Sequence, residues 1–189
     1  MPFLCEALAG RGAPVELVTT VPSAREEATS IFPEDPVRMH AVEEGNGPRA
    51  YHSFYRAVRV QAPNGGPTLV HDHGLWTPTH VASALAAWKT GVPLVVSTRG
   101  MLEPWALQQK RWKKRMAWWV YQRWVLKHAS LLHATADAEA ESLRRLGFDQ
   151  PIAVIPNGVH TETPESERRA SSDGEGHQAL FLSRLHRKT

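Results

Sequence analysis

The chain has almost no cysteine. Cys5 is the only one in 189 residues, so an intramolecular disulfide framework is excluded. An oxidising, disulfide-stapled setting is therefore disfavoured and an intracellular, cytoplasmic address is expected. Cys5 lies among apolar residues with no partner base nearby and reads as a small packing residue. No uninterrupted apolar run approaches the ~20 residues of a spanning helix, and no basic start precedes a long apolar stretch as in a secretory leader. Cys/His clusters with zinc-ligand spacing are missing, and so are nucleic-acid-binding motifs. What remains is ordinary for a globular protein: 42% hydrophobic and 22% charged residues. The net charge of +3 and a pI near 9.2 fit an anionic partner such as a nucleotide, a phosphate or a membrane surface. The length suits one full domain plus a small piece of another.

Helical and strand patterns alternate along the chain. Met1 to Arg11 reads as a helix closed by Gly12, and Val15 to Val21 and Val37 to Val42 as strands. Ala50 to Gln61 reads as a helix, with Pro63 to Pro67 as a break. Strands are predicted at Thr68–His73, Pro93–Thr98, Leu131–Ala136 and Ile152–Ile155. Helices are predicted at Thr79–Thr90, Gln108–His128 and Asp137–Leu146, the last capped by Asp137 and stopped by Gly147. Short apolar strands separated by helices imply parallel pairing through right-handed crossovers, hence an α/β fold with a doubly wound sheet. Residues 161–178 carry almost nothing apolar and read as a solvated linker. Ala179 to Leu185 begins a new strand, so 179–189 reads as the start of a second domain. The pattern opens inside a helix, so a first strand and its glycine-rich turn are expected to be missing from domain 1–160.

In doubly wound sheets ligands bind beyond the carboxyl ends of the strands, which directs attention to a few side chains. His71 and His73 share one face of a strand end and Asp72 points to the other. The pair suits a hydroxyl or a phosphate, less well a metal, and one of them reads equally as a buried, hydrogen-bonded histidine. Arg99 ends the next strand, where its fixed, always charged fork suits a carboxylate or phosphate; a surface ion pair is the plainer alternative. Gly100 marks a tight turn or a close approach. Trp105 reads as a sugar-stacking wall or, slightly better, as a core plug. Thr135 and Glu139 flank a helix start whose free N–H groups attract anions, with ordinary capping as the alternative. Asn157 and Gly158 read as a turn. Arg184 ends the last strand and suits a diphosphate, or is part of a basic chain end.

Lys110, Arg111, Lys113, Lys114 and Arg115 crowd the start of the long helix, with Trp112, Trp118, Trp119, Tyr121 and Trp124 interleaved and following. Cations there oppose the helix dipole, so local helix energetics do not explain them. The mixture matches attachment to an anionic membrane surface or a solvated basic face. The aromatics do not keep to one helical face, so several are expected to pack inward.

Taken together, HDHGLW (His71–Trp76), STRGMLEPWAL (Ser97–Leu107), the KRWKKR helix, HATADAEAESLRRLG (His133–Gly147), IPNGVH (Ile155–His160) and LFLSRLH (Leu180–His186) resemble, in their order and spacing, the retaining glycosyltransferases of family four with the GT-B fold. The resemblance implies a Rossmann-like amino-terminal domain for the acceptor, a carboxy-terminal domain for the nucleotide-sugar donor, and chemistry in the cleft between them. It places His71, His73, Arg99, Gly100, Thr135, Glu139, Asn157 and Gly158 along the acceptor side of that cleft, and Arg184 on the donor diphosphate. It names no catalytic residue and no cofactor, the nucleotide sugar serving as donor substrate, and the lack of a Cys/His cluster leaves no metal expected. The implied partners are that nucleotide sugar and a glycan or lipid-linked acceptor; the basic, aromatic helix adds an anionic membrane surface as a candidate partner, and no nucleic acid is expected. The family's lysine beyond Arg184 and its paired glutamates are missing, so residues 1–189 are expected to be an inactive glycosyltransferase fragment. Two other readings stand beside it: a non-catalytic module binding a membrane surface or partner, and a half-enzyme completed by a separate donor-domain chain.

Overall fold

Strands parallel to one another and joined by helices account for most of the described chain. The computed structural model describes residues 2–21, 37–43, 48–61 and 69–158. The expected linker at 161–178, the expected strand at 179–189 and Arg184 lie outside them. In order the elements are α1 (Pro2–Ala9), β1 (Glu16–Val21), β2 (Arg38–Glu43), α2 (Pro48–Gln61), β3 (Val70–His73), α3 (Pro78–Thr90), β4 (Leu94–Ser97), α4 (Pro104–Gln108), α5 (Arg111–Ala117), a π-helical segment (Trp118–Gln122), α6 (Arg123–Lys127), β5 (Leu131–Ala134), α7 (Asp137–Arg145) and β6 (Ile152–Val154).

The strands form two parallel sheets, β1-β2 and β3-β4-β5-β6. Across the larger sheet His73 pairs with Ser97, Ser97 with His133 and His133 with Ala153. This register lines up one residue from each strand near the carboxyl ends. Alternate residues fall on opposite faces. Leu94, Val96, Leu132 and Ala134 point into a core with Leu126, Leu143 and Phe148, whereas Val95, Leu131 and Ala153 on the other face are only half-buried. Each fully buried leucine or phenylalanine contributes about 1.5–3 kcal/mol, so this face holds the sheet to α3, α6 and α7. Val18 of β1 and Val70 of β3 join a second cluster around Phe54, Val58, Ala82 and Ala86. Small side chains along α3 let α2 and the sheet approach closely. Pro78 starts α3 and Gly91, at φ 70°, ends it.

The expected helix Gln108–His128 differs in detail. A short α4 comes first, and Lys110, at φ 50°, breaks the path. The chain from Arg111 to Lys127 is then helical but contains a π turn. That turn has a partner. Trp76, in the loop after β3, holds φ 77°, a strained backbone for a bulky residue. Its N–H donates to Gln122 Oε1 at 2.9 Å, and the Tyr121 hydroxyl donates to its carbonyl at 2.7 Å. Two successive residues of the π segment thus hold both backbone polar groups of one loop residue, and π turns are frequent at functional sites. Gln122 is fully buried. Gln122→Leu therefore strands the Trp76 N–H and is expected to cost about 1–3 kcal/mol, read as a lower urea midpoint, while Tyr121→Phe costs about 1 kcal/mol.

Candidate functional site

The carboxyl ends of β3, β4, β5 and β6 gather the polar residues. His71 and His73 project from the same face of β3 with ring centroids 4.0 Å apart, and His133 of β5 stands 5.6 Å from His71. Asp72 faces the other way and meets His80 of α3, Oδ1 to Nδ1, at 2.8 Å. Arg99 spans the group. One of its terminal nitrogens donates to His73 Nδ1 at 3.0 Å, the other to Asn157 Oδ1, beyond β6, at 2.8 Å. A guanidinium only donates, so His73 accepts through Nδ1 and carries its hydrogen on Nε2. The His133 Nε2 hydrogen goes to the Ile155 carbonyl at 2.9 Å.

The two β3 imidazoles are held neutral. Burial lowers His71 from the usual value to about 4, helped by His133 and Arg99. Burial lowers His73 to about 3, helped by His71 and Arg99. A neutral imidazole both donates and accepts, which suits a hydroxyl. Among the described residues His71 Nε2, His133 Nδ1 and Ser97 Oγ are buried without a hydrogen-bond partner. Buried polar atoms left open in this way call for a ligand or water. No group of three or more metal-ligating side chains with suitable geometry occurs among the described residues.

Glu139 lies at the base of this group and is 4% exposed. Its Oε1 accepts from the Thr98 hydroxyl and the Gly100 N–H, both at 2.5 Å. Its Oε2 accepts from the Thr135 N–H at 2.7 Å and the Thr135 hydroxyl at 2.9 Å. Burial pushes the carboxyl upward, but the Thr135 amide, the Thr98 hydroxyl, the Gly100 amide and the Thr135 hydroxyl outweigh it and hold it below the usual value. Asp137 was the expected cap of α7; instead Ala136 occupies that position with no side-chain cap bond. Glu139, in the first turn of α7, reaches back past Ala136 to the Thr135 N–H and hydroxyl.

The Arg99–Gly100 turn is built on this carboxylate. Arg99 has φ 52° and Gly100 φ 69°, and the Met101 N–H closes the turn onto the Thr98 carbonyl at 3.0 Å. Left-handed backbone costs a residue such as arginine about 1–2 kcal/mol. A Cβ on Gly100 would meet only the Glu103 side chain, 4.0 Å away, so the glycine serves the turn, not a close approach. Gly158 is exposed with open space around it. Trp105, favoured as a core plug, is instead 64% exposed.

The structure thus brings His71, His73, Arg99 and Asn157 together, with Gly100, Thr135 and Glu139 beneath them as a supporting knot. Sequence reasoning passed over His133, Ser97 and Thr98 as individual residues. Only the strand register, which sets Ser97 opposite both His73 and His133, reveals the first two.

Two outcomes follow for stability. Glu139→Gln turns one acceptor oxygen into an NH2 group facing donors, and is expected to cost about 2–4 kcal/mol in urea unfolding. His71 and His73 bind protons near pH 6.5 when unfolded but only near 4 and 3 when folded. The unfolded state therefore binds more protons between those values, and stability falls as pH drops from 6.5. Glu139 has the opposite sign of charge and a lowered folded value, so its contribution stays intact above its ordinary 4.5 and is lost only below. Urea midpoints at pH 7 and pH 5 thus isolate the imidazoles. The drop is expected to shrink in His71→Gln/His73→Gln.

No curated protein matches the chain. Residues 3–158 match the family described as Glycosyl transferase 4-like domain. That span takes in the parallel sheet, the histidine cluster, Arg99 and the Glu139 knot, and the chain belongs to this glycosyltransferase 4-like domain family.

Proposed function

We propose that residues 1–160 are the acceptor-side half of a retaining GT-B glycosyltransferase, which transfers a sugar from a nucleotide-sugar donor to a glycan or lipid-linked acceptor. The observation that carries this reading is the cluster of neutral His71 and His73 with His133 and Arg99 at the strand ends. Saccharide hydroxyls need partners that donate and accept at fixed positions. The cluster offers them, with His71 Nε2, His133 Nδ1 and Ser97 Oγ buried and open to a ligand.

Arg99 fixes the His73 tautomer and joins β3 to the Asn157 turn, so it positions the cluster besides adding charge. Glu139 has both oxygens occupied by four donors and acts as a positioning residue, not as a base. Transfer also requires a leaving diphosphate to be stabilised and both substrates to be aligned. The resemblance gives the diphosphate to Arg184. The paired glutamates that the resemblance assigns to the donor sugar are missing from residues 1–189, so these residues bind saccharide and a donor-binding half completes the transfer.

Saturation-transfer NMR with methyl α-glucoside, methyl α-mannoside and methyl α-galactoside tests the reading. At least one probe is expected to show contact with the whole chain and to lose it at least fivefold in His71→Ala/His73→Ala, with the fold retained by circular dichroism. No transfer from UDP-glucose to the bound probe is expected. Absence of contact with every probe, or equal contact in the variant, would overturn the assignment of the cluster.

A further inference from the structure

The helix from Arg111 to Lys127 divides its aromatics between two sides, which resolves their lack of a single 3.6-residue face. On the inner side Trp118 packs edge-on against Phe148, with ring centroids 5.9 Å apart. Trp124 packs against Trp88 at 6.3 Å, and Gln122, Val125 and Leu126 are buried. On the outer side Trp112, Met116, Trp119 and Val120 are 65%, 60%, 71% and 75% exposed. Their spacing of i, i+4, i+7 and i+8 makes one continuous apolar stripe. The π segment Trp118–Gln122 contributes to both sides, turning Tyr121 and Gln122 toward the Trp76 loop while Trp119 and Val120 face out.

Charge is sorted along the same helix. Between Pro104 and Ala136 the chain has seven lysines and arginines and no acid, so the rest of the protein holds fifteen cations against nineteen acids. Lys110, Arg111, Lys113 and Arg115 are exposed beside the stripe, and the Lys113 ammonium sits 5.4 Å from the Trp112 ring centre. Lys114 is turned the other way. It donates to the Ala106 carbonyl at 2.5 Å and lies 5.4 Å from the Trp76 ring centre. Burial and Lys110 lower its pKa. It therefore belongs to the inner side, and the remaining four cations border the stripe.

We propose that this face lies on a bilayer containing anionic lipid, with Trp112, Met116, Trp119 and Val120 entering the interface and Lys110, Arg111, Lys113 and Arg115 meeting the headgroups. A helix of 17 residues is about 26 Å long, and no helix among the described residues is long and apolar enough to cross a membrane. A two-sided helix of this kind lies in the plane of the interface. Charge chooses the occupant. A second copy would bring two unbroken cationic rows together, whereas an anionic lipid surface neutralises them and receives tryptophan at its headgroup boundary. The inference is independent of whether the domain handles sugar.

Flotation of the full chain with phosphatidylcholine vesicles, and with vesicles of about 70% phosphatidylcholine and 30% phosphatidylglycerol, tests it. Binding to the anionic vesicles is expected to be at least tenfold tighter than to neutral ones and to weaken with salt. Trp112→Ser/Trp119→Ser is expected to lose at least tenfold with unchanged circular dichroism and melting, because both side chains are exposed. Lys110→Gln/Arg111→Gln/Lys113→Gln/Arg115→Gln should lose the preference for anionic lipid. Three results would overturn the proposal: no binding to anionic vesicles, binding untouched by the tryptophan pair, or a dimer in solution that the tryptophan pair dissolves. The last would assign the stripe to a second copy.

Discussion

One buried carboxylate organises the end of the sheet where the polar residues collect. Glu139 receives two bonds from the segment after β4 and two from the segment after β5, so two strand ends and the start of α7 are fixed to one group. A buried charge is costly unless every lone pair is engaged, and here four donors meet it. The knot sets the Arg99–Gly100 turn in its left-handed backbone. Arg99 is thereby aimed across to His73 and Asn157. The position of the guanidinium, the tautomer of His73 and the turn after β6 all depend on it.

The cluster above the knot is cationic in potential but neutral in its imidazoles. Two histidines with centroids 4.0 Å apart, beside a permanent guanidinium and partly out of water, do not hold protons near neutrality. That makes them hydroxyl partners and not anion traps, leaving the fixed positive charge to Arg99. The π segment holds Trp76, in the loop after β3, by both its backbone N–H and its carbonyl. The same helix thus steadies the loop after β3 with its inner side and presents aromatics and cations with its outer side. Its sequence is crowded with tryptophan because both jobs use it.

Much of the architecture was legible from residues alone. The alternation of apolar strands and helices gave the parallel α/β arrangement: the short, largely apolar runs Pro93–Thr98 and Leu131–Ala136 read as strands, and the strands lie at Leu94–Ser97 and Leu131–Ala134. Strand period placed His71 and His73 on one face opposite Asp72. Non-local geometry was harder. Register, not sequence spacing, puts Ser97 and His133 in the same row as His73. The four-donor role of Glu139 combines residues 41 positions apart, so local reasoning reached only as far as an acid at a helix start. That the helix is two-sided was legible, since adjacent aromatics such as Trp118 and Trp119 cannot share one face; which of them pack inward was not, because that depends on Phe148 and Trp88 from distant parts of the chain. Arg184 and the segment around it fall outside the described residues.

The central claim is that the Glu139 carboxylate holds the strand ends together, and amide hydrogen exchange reads it directly. The Gly100 and Thr135 amides lie in loops, where exchange is ordinarily fast. As donors to a buried carboxylate they are predicted to be protected nearly as well as the amides of β4 and β5, and to open only when those strands do. Exchange of both at the rate of exposed loop amides, with β4 and β5 still protected, would contradict the account.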